Sequence, residues 1–269
     1  MSSCCKNEYT PVPSRLKDII RHTGQEWTFR FTYEGDEKVT PGQFFMVSIP
    51  KVGECPISVS GVGPDYIDLT IRAVGKVTGY LFENYKEGDS LFIRGPYGKG
   101  FDLDLFEEGE IIIVAGGTAV SPIIGVVQHI LKAGHPEDCH VIAGFKNPDE
   151  IMFRKEFSEW EGKVDLTLTV DSAPDDYAGK VGLVTKYIPD LPVRDPSFCK
   201  VIVVGPPPMI KFSMIELMKL GVNEDNVWVD ESRRMSCGFG KCGHCRINDK
   251  YVCIDGPVFP YSVLKTFVD

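Results

Sequence analysis

The sequence predicts a multidomain protein in which an all-β barrel is followed by an α/β domain and a short cysteine-rich segment. The first hundred residues contain mainly short apolar or alternating runs between turn-forming residues. From about residue 110 apolar strands alternate with helices, and four of the nine cysteines lie within residues 237–253. We therefore expect domains at residues 1–104, 105–228 and 229–269, two of ordinary size and one small.

The predicted barrel depends on five apolar or alternating runs separated by Gly, Pro and Asp. These runs lie at residues 27–33, 42–50, 56–62, 66–74 and 90–95. A helical segment is expected near residues 78–85. Short strands at this spacing are typical of a small closed antiparallel barrel.

The second domain is predicted from strands that are apolar without alternation, as in parallel sheets buried on both faces. We expect strands at residues 111–117, 139–145, 164–170, 200–205 and 226–232. Helices are expected at residues 120–134, 149–160, 184–191 and 209–221. This alternation predicts a doubly wound parallel sheet.

Composition and charge argue against several classes of protein. The formal net charge is −9, with 29 Lys and Arg against 38 Asp and Glu, which disfavours a nucleic-acid partner. No apolar run reaches the roughly 18 residues that span a bilayer, and the N-terminus lacks the apolar core of a signal peptide. We therefore expect a cytoplasmic protein without a membrane partner.

The cysteine segment reads CGFGKCGHCRINDKYVC, and its candidate metal ligands are Cys237, Cys242, Cys245 and Cys253. The Cys-x4-Cys-x2-Cys start of this segment is the spacing of plant-type two-iron ferredoxins. Its glycines, which tolerate positive φ, can leave backbone N–H groups free to point at the sulfurs. Four thiolates also suit a structural zinc site, although zinc ribbons favour two Cys-x2-Cys pairs and only one is present.

The other cysteines carry no comparable pattern. Cys139 and Cys199 lie at the starts of apolar strands and are expected to be small core residues. No function is predicted for Cys4 and Cys5.

Glycine turns after apolar strands indicate a nucleotide site. Gly116, Gly117 and Thr118 lie between a strand and a helix, where backbone amides can bind a pyrophosphate. The turn is not the GxGxxG fingerprint, and taken alone it is equally compatible with simple packing. Turns at Gly144 and Gly205 follow two further strands, at the sheet edge where open α/β sheets bind ligands.

A second set of candidates lies in the predicted barrel, at residues 56–58, 70–72 and 75–78. Thr78 opens a predicted helix and Arg72 is a nearby cation, so an anionic phosphate could be held there. The alternative for Arg72 is an ordinary solvated strand residue.

Together these motifs resemble the ferredoxin-NADP reductase superfamily. The resemblance is carried by PISVSG, DLTIRAVGKVT, FIRGPYGKGFD and MSCGFGKCGHCRINDKYVCIDGPVF, and it runs from about residue 9 to the C-terminus. More narrowly, the chain is similar to the branch with a C-terminal two-iron cluster, which includes dihydroorotate dehydrogenase electron-transfer subunits and hydrogenase gamma subunits. Within that branch it most resembles the B subunits of anaerobic sulfite reductases.

The resemblance implies a flavin-binding barrel, a nicotinamide-nucleotide domain and a 2Fe-2S segment. It assigns FAD to Pro56, Ile57, Ser58, Thr70, Ile71, Arg72, Val77 and Thr78. It assigns the nicotinamide nucleotide to Gly116, Gly117, Thr118, Gly144, Gly205 and Pro206. The chain departs from the pattern in two places. Cys55 and Ile57 replace the flavin motif's Arg and Tyr, and Ser232 stands where the branch tends to have an acidic residue.

The expected function is NADH oxidation through FAD, with single electrons passing through the cluster to iron-sulfur and siroheme-containing sulfite reductase subunits. The alternatives are the equivalent subunit of a hydrogenase or of dihydroorotate dehydrogenase, and a zinc-stabilised nucleotide-binding regulator without redox activity. No catalytic acid–base residue is expected, because hydride transfer does not strictly require one. NADH is favoured over NADPH because carboxylates follow the second and third strands of the sheet, whose turns offer only Lys146 as a cation. The carboxylates are Asp149, Glu150, Asp171, Asp175 and Asp176.

Overall fold

The computed structural model describes residues 9–134 and 136–267, and its first domain is a closed antiparallel barrel. Its six strands are β1 (Val12–Arg21), β2 (Glu26–Thr32), β3 (Phe44–Ile49), β4 (Gly53–Val62), β5 (Tyr66–Arg72) and β6 (Ser90–Tyr97). They close in the order β1-β2-β5-β4-β3-β6. Helix α1 (Lys76–Asn84) lies between β5 and β6. The predicted barrel is confirmed.

Strand β1 is the one barrel strand that the five apolar or alternating runs of the sequence do not include. Its sequence, VPSRLKDIIR, mixes proline and charged residues with apolar ones. The register against β2 shifts between Leu16 and Asp18, so a β-bulge interrupts the alternation of buried and exposed side chains. A strict period of two therefore does not reveal this strand.

The second domain is a sheet with the strand order β10-β9-β8-β7-β11-β12-β15. Its strands are β7 (Ile111–Gly116), β8 (Cys139–Phe145), β9 (Asp165–Val170), β10 (Lys180–Val181), β11 (Lys200–Val204), β12 (Val227–Asp230) and β15 (Val258–Pro260). All neighbours are parallel except β12 and β15. The helices are α2 (Ser121–Ala133), α3 (Arg154–Trp160) and α4 (Pro207–Leu220). The predicted parallel α/β sheet is confirmed.

Two of the predicted helices differ from the structure in length or in type. The helix expected at 149–160 begins only at Arg154, because Phe153 adopts a left-handed conformation (φ 53°) and residues 151–153 are buried in the core. The helix expected at 184–191 is two 3₁₀ turns, Val184–Lys186 and Ile188–Asp190, with Pro189 in the second. No helix in the described part of the chain is both long and apolar enough to cross a bilayer.

The C-terminal segment packs against both preceding domains. It contains a hairpin of β13 (Arg246–Ile247) and β14 (Lys250–Tyr251), the short helices α5 (Val252–Asp255) and α6 (Tyr261–Leu264), and β15. One core cluster joins Phe44 and Met46 of the barrel to Cys245, Cys253 and other residues of this segment. Because β15 completes the α/β sheet, the segment is not a free appendage.

Candidate functional site

A cleft of about 1200 Å³ separates the barrel from the carboxyl ends of the parallel strands. We call it the interdomain cleft. Its barrel wall contains residues 55–58 of β4, Thr70 and Arg72 of β5, and Thr78 of α1. Its sheet wall contains the turns that follow β7, β8 and β11. One cleft therefore joins the two sets of residues that the sequence predicted separately.

Most of the predicted cofactor-binding residues line this cleft. They are Pro56, Ile57, Ser58, Thr70, Arg72, Thr78, Gly116, Gly117, Thr118, Gly144, Gly205 and Pro206. Ile71 and Val77 are outside the lining set. The Ile71 side chain belongs to the barrel core and is 1% exposed, because successive strand residues point to opposite faces. The Val77 side chain packs against the same core.

Arg72 is paired with a buried carboxylate. Its Nε lies 3.0 Å from Oε1 of Glu26, whose side chain is 4% exposed, whereas Arg72 itself is 43% exposed. The Thr23 hydroxyl also donates to Glu26. Arg72 therefore reaches the cleft with its charge largely offset, and Glu26 is a cleft residue that no sequence signal revealed.

The N-terminus of α1 supplies backbone donors on the barrel side. Gly75 is the N-cap, and the Thr78 hydroxyl accepts hydrogen bonds from the N–H groups of Val74 (3.1 Å) and Gly75 (3.0 Å). Thr78 is the third residue of α1, and its side chain thus caps the start of the helix from within the first turn. The next N–H groups of the first turn have no carbonyl partner within the helix and suit an anion.

On the sheet wall, the glycines make room for neighbouring side chains. A Cβ on Gly116 would lie 2.6 Å from Sδ of Met209, and one on Gly205 would lie 2.2 Å from its Cε. A Cβ on Gly144 would lie 2.4 Å from Cγ1 of Val184. Met209 therefore fills the notch between the two strand ends, and a side chain at Gly116 or Gly205 would require the end of the Met209 side chain to move.

Asp230 is a buried carboxyl group at the end of β12 and lines the cleft. Burial, reinforced by the charge of Glu231, raises the pKa of Asp230 to about 7. The group can therefore gain or lose a proton near neutral pH. Ser232, which replaces the acidic residue of the related branch, also lines the cleft.

One end of the cleft is acidic. Lys146, Glu150 and Asp171 line it, and burial and the charge of Glu150 raise the pKa of Asp171. The Asn147 amide donates to Glu150 at 3.1 Å and thereby orients it. Three other carboxylates from which NADH was predicted over NADPH do not line the cleft; they are Asp149, Asp175 and Asp176.

The four predicted ligand cysteines interact with one another and with nearby backbone N–H groups. Interactions between the thiols link Cys242 to Cys237, and Cys253 to both Cys245 and Cys237. Backbone N–H groups also reach the sulfurs, from Lys241 to Cys237 at 3.3 Å and from Gly240 to Cys253 at 3.1 Å. Within residues 9–134 and 136–267, no three metal-binding side chains lie close enough together to ligate a single ion.

The loop's glycines are required by its close turns. Gly238, Gly240 and Gly243 have φ values of 85°, 74° and 78°. A Cβ on Gly238 would also lie 2.9 Å from the ring of Tyr97, in β6 of the barrel. Three of the four predicted ligand cysteines are buried and Cys242 is exposed.

Arg94 of β6 ties the cysteine loop to the barrel. Its guanidinium donates to the backbone carbonyls of Ser236 (2.9 Å) and Cys237, and also to the Tyr97 hydroxyl at 3.2 Å. Nε donates to Glu54 at 2.7 Å, so the cation is paired although only 5% of its side chain is exposed. Glu54 precedes Cys55, a cleft residue, so this ion pair connects the two candidate sites.

The remaining cysteines differ in their surroundings. Cys139 and Cys199 are buried, as predicted, and burial raises the pKa of each to about 12. Cys55 is half-buried in the cleft wall, and burial raises its pKa to about 11. Cys4 and Cys5 lie outside the described residues.

Two family models match separate parts of the chain. Residues 113–214 match the oxidoreductase NAD-binding domain, and residues 232–265 match the iron-sulfur cluster binding domain of dihydroorotate dehydrogenase B. A structure of the NADH-dependent reduced ferredoxin-NADP oxidoreductase superposes with a TM-score of 0.79 and 25% identity, covering 93% of this chain and 88% of that one. The fold and the cysteine loop therefore define an oxidoreductase subunit of the ferredoxin-NADP reductase fold with an iron-sulfur segment.

Similar proteins narrow the class further. The chain is 34% identical to sulfhydrogenase 2 subunit gamma of Pyrococcus furiosus, covering 95% of this chain and 96% of that protein. It is 36% identical to a probable dihydroorotate dehydrogenase B electron-transfer subunit of Pyrococcus horikoshii, covering 88% of this chain and 85% of that protein. The chain belongs to the family that contains these electron-transfer and gamma subunits.

Proposed function

We propose that this chain is an electron-transfer subunit that oxidises NADH in the interdomain cleft and passes single electrons to a partner subunit. The observation that supports this most is the single cleft, which brings the barrel residues and the glycine turns of the sheet face to face. A flavin there would accept two electrons from a nicotinamide and release them singly to a 2Fe-2S cluster. The chain's own residues then have to hold, orient and shield these groups.

The cleft residues fit FAD. The first-turn N–H groups of α1 suit its pyrophosphate, with Arg72 beside them. Cys55 supplies no charge, because burial keeps its thiol protonated at neutral pH. The proposed flavin site therefore relies on backbone donors more than on a net cation. The predicted barrel and nucleotide domains, 1–104 and 105–228, would each supply one wall.

The cysteine loop fits a cluster of two irons. Each iron of such a cluster takes two protein thiolates, and the loop presents four thiols that interact with one another. A structural zinc ion takes all four ligands itself. The Cys-x4-Cys-x2-Cys spacing, which contains only one Cys-x2-Cys pair, therefore supports the 2Fe-2S assignment to Cys237, Cys242, Cys245 and Cys253 over the zinc alternative.

NADH is the proposed nucleotide. Glu150 and Asp171 at the acidic end of the cleft suit the free 2′-hydroxyl of the adenosine ribose, whereas a 2′-phosphate prefers cationic partners. Lys146 is the one cation at this end of the cleft among the described residues.

The partner is proposed to be the catalytic subunit of a hydrogenase or of dihydroorotate dehydrogenase. The relatives described above carry those names over nearly the full length of the chain, so they favour this alternative over the sulfite reductase expected from the sequence. Sulfite reduction rests only on the sequence resemblance, of which the cysteine stretch is the most specific part. We also propose that the iron-sulfur segment begins at residue 229 and extends to residue 269.

Purification under strictly anaerobic conditions from the native organism tests the function and the partner together. We expect about one FAD and two irons per chain, and co-purification with a catalytic subunit. Hydrogen uptake, dihydroorotate oxidation and sulfite reduction by that complex, each coupled to NAD, would identify the partner class. A preparation that contains zinc without iron would refute the proposal.

A further inference from the structure

The surface around the cysteine loop is basic in a chain that is acidic overall. Residues 232–250 contain one carboxylate, Asp249, while the whole chain has a net charge of −9. The same stretch contains five cations, Arg233, Arg234, Lys241, Arg246 and Lys250. Residues 232–250 therefore carry the charge opposite to that of the rest of the protein.

Three of these cations have no acidic partner. Arg233 pairs with Glu231 at 3.4 Å and Lys250 with Asp249 at 3.2 Å. Among the described residues no ion pair is formed by the other three, and all of them are exposed; we call Arg234, Lys241 and Arg246 the basic rim. The charge of the basic rim is therefore not offset by ion pairs, although Nε of Arg246 donates to the Asn248 carbonyl at 2.9 Å.

The basic rim adjoins the exposed part of the loop. Lys241 is next to Cys242, the one ligand cysteine that is exposed, and Arg246 follows Cys245. The backbone at Gly243 is also exposed, and a Cβ there would meet nothing within 4 Å. The part of the loop nearest to Lys241 and Arg246 is therefore the part through which the predicted cluster would be most accessible to a partner.

We propose that the basic rim is the docking surface for an electron-accepting protein with an acidic surface. This inference rests on the proposed function, because it takes the cysteine loop as the exit for electrons. Complementary charge raises the rate of productive encounter and fixes its orientation, typically by about 10- to 1000-fold at low salt. The acceptor would approach Cys242 and meet the three cations with carboxylates.

A rival explanation is that the cations only offset the negative charge of an iron-sulfur cluster. In that case, removing them would lower the cluster's midpoint potential and change transfer to every acceptor in the same direction. A docking surface predicts effects of opposite sign for acidic and basic acceptors. The two explanations can therefore be separated with two acceptors of opposite charge.

The test uses the loaded protein with its cluster reduced by dithionite, so that it does not depend on NADH. The acceptors are oxidised rubredoxin, which is acidic, and cytochrome c, which is basic. Stopped-flow rate constants are measured from about 10 mM to about 1 M ionic strength, where the Debye length falls from about 30 to about 3 Å. The test variant is Arg234→Glu/Lys241→Glu, and the matched control is Lys132→Glu/Lys163→Glu, two exposed lysines of the α/β domain.

For the wild type, we expect the rate constant with rubredoxin to fall as salt rises. At low salt the rate constant of the test variant should be lower than that of the wild type by about tenfold or more with rubredoxin, and higher with cytochrome c. The rate constants of the control variant should change little with either acceptor. Equal rates in test and control variants would overturn the proposal, as would changes of the same sign with both acceptors. Adding Arg246→Glu should enlarge the effect; iron content and the EPR spectrum verify that each variant retains its cluster. Failure of NADH to reduce the flavin would contradict the proposed function alone.

Discussion

The cysteine loop takes its four thiols from residues 237–253, whereas the interdomain cleft takes its walls from strands and turns spread over residues 26–232. The loop is local, so its chemistry is visible as a spacing. The cleft exists only after the barrel and the sheet have packed together, and its charges come from residues without a motif. Arg94 and Glu54 connect the two regions. The comparison predicts that the two sites can be disrupted separately, except at this ion pair.

The largest effect is expected from the ligand cysteines. Cys245→Ala or Cys253→Ala should abolish bound iron and leave FAD in place, because neither residue lines the cleft. Iron analysis and the flavin absorbance of the purified variants measure this. Cys139→Ala, which removes a buried thiol from the α/β sheet, should keep its iron. Loss of FAD together with iron would show that the two sites are not separable.

Arg94→Gln should affect the cysteine loop and the barrel together. It leaves Glu54 without its cation and the carbonyls of Ser236 and Cys237 without a donor. Breaking a buried ion pair costs about 3–5 kcal/mol, and Glu54 is 26% exposed, so we expect the lower end. Denaturant unfolding and iron content are the measurements.

Arg30→Gln is the matched control for Arg94→Gln, because it breaks a barrel ion pair with Asp68 that does not touch the loop. The control should destabilise the protein but retain its iron. If Arg94→Gln retained as much iron as Arg30→Gln, the proposed tie between barrel and loop would be wrong.

Asp230→Asn should change how stability depends on pH. The pKa of Asp230 is about 7 in the folded protein and about 3.8 when unfolded, so the folded state binds the proton more tightly. Stability therefore falls as pH rises from about 4 to about 7, by about 4 kcal/mol at most. The amide cannot ionise, so the variant should lose this decline and be more stable than the wild type at pH 8. Parallel denaturant curves for both proteins across this range would contradict the assigned pKa.

The contrast between a local cysteine loop and a cleft that forms only on packing also explains what could be predicted from the sequence. The loop spacing identified four candidate ligands, and the turns at Gly116, Gly144 and Gly205 predicted the sheet wall of the cleft. Glu26 and Asp230 became recognisable as cleft residues only in the fold, because a single carboxylate within a strand carries no pattern. The bulge in β1 hid that strand, and the left-handed Phe153 shortened α3. Those outcomes depend on tertiary packing, which local periodicity does not encode.

A smaller effect is expected at the barrel wall. Arg72→Ala should weaken FAD binding by about 1.5–3 kcal/mol, the usual range for a charge-assisted hydrogen bond, and Cys55→Ala should weaken it much less. Removing Arg72 also leaves Glu26 as an unpaired buried carboxylate, so Arg72→Ala/Glu26→Gln should bind FAD better than Arg72→Ala. Titration of flavin-free protein measures all four affinities. Equal losses in the Arg72 and Cys55 variants would show that the phosphate has another counter-charge.

The smallest effect concerns nucleotide choice. Asp171→Asn/Glu150→Gln removes two carboxylates from the acidic end of the cleft and should increase the relative use of NADPH by about tenfold, which corresponds to about 1.4 kcal/mol. The ratio of the second-order rate constants for flavin reduction by NADH and NADPH is the measurement. A wild-type ratio below one would reverse the assignment, and Lys146 would then be the residue to examine.

The central claim is that electrons enter at the interdomain cleft and leave through the cysteine loop. Rapid freezing after anaerobic mixing of the loaded protein with NADH, followed by EPR and optical spectroscopy, tests it most directly. We predict that the flavin absorbance bleaches first and that the signal of a reduced two-iron cluster then grows, while the Cys253→Ala variant shows only the bleaching. A cluster signal that appears without flavin reduction, or a reduced flavin that never passes an electron to the cluster, would contradict the account.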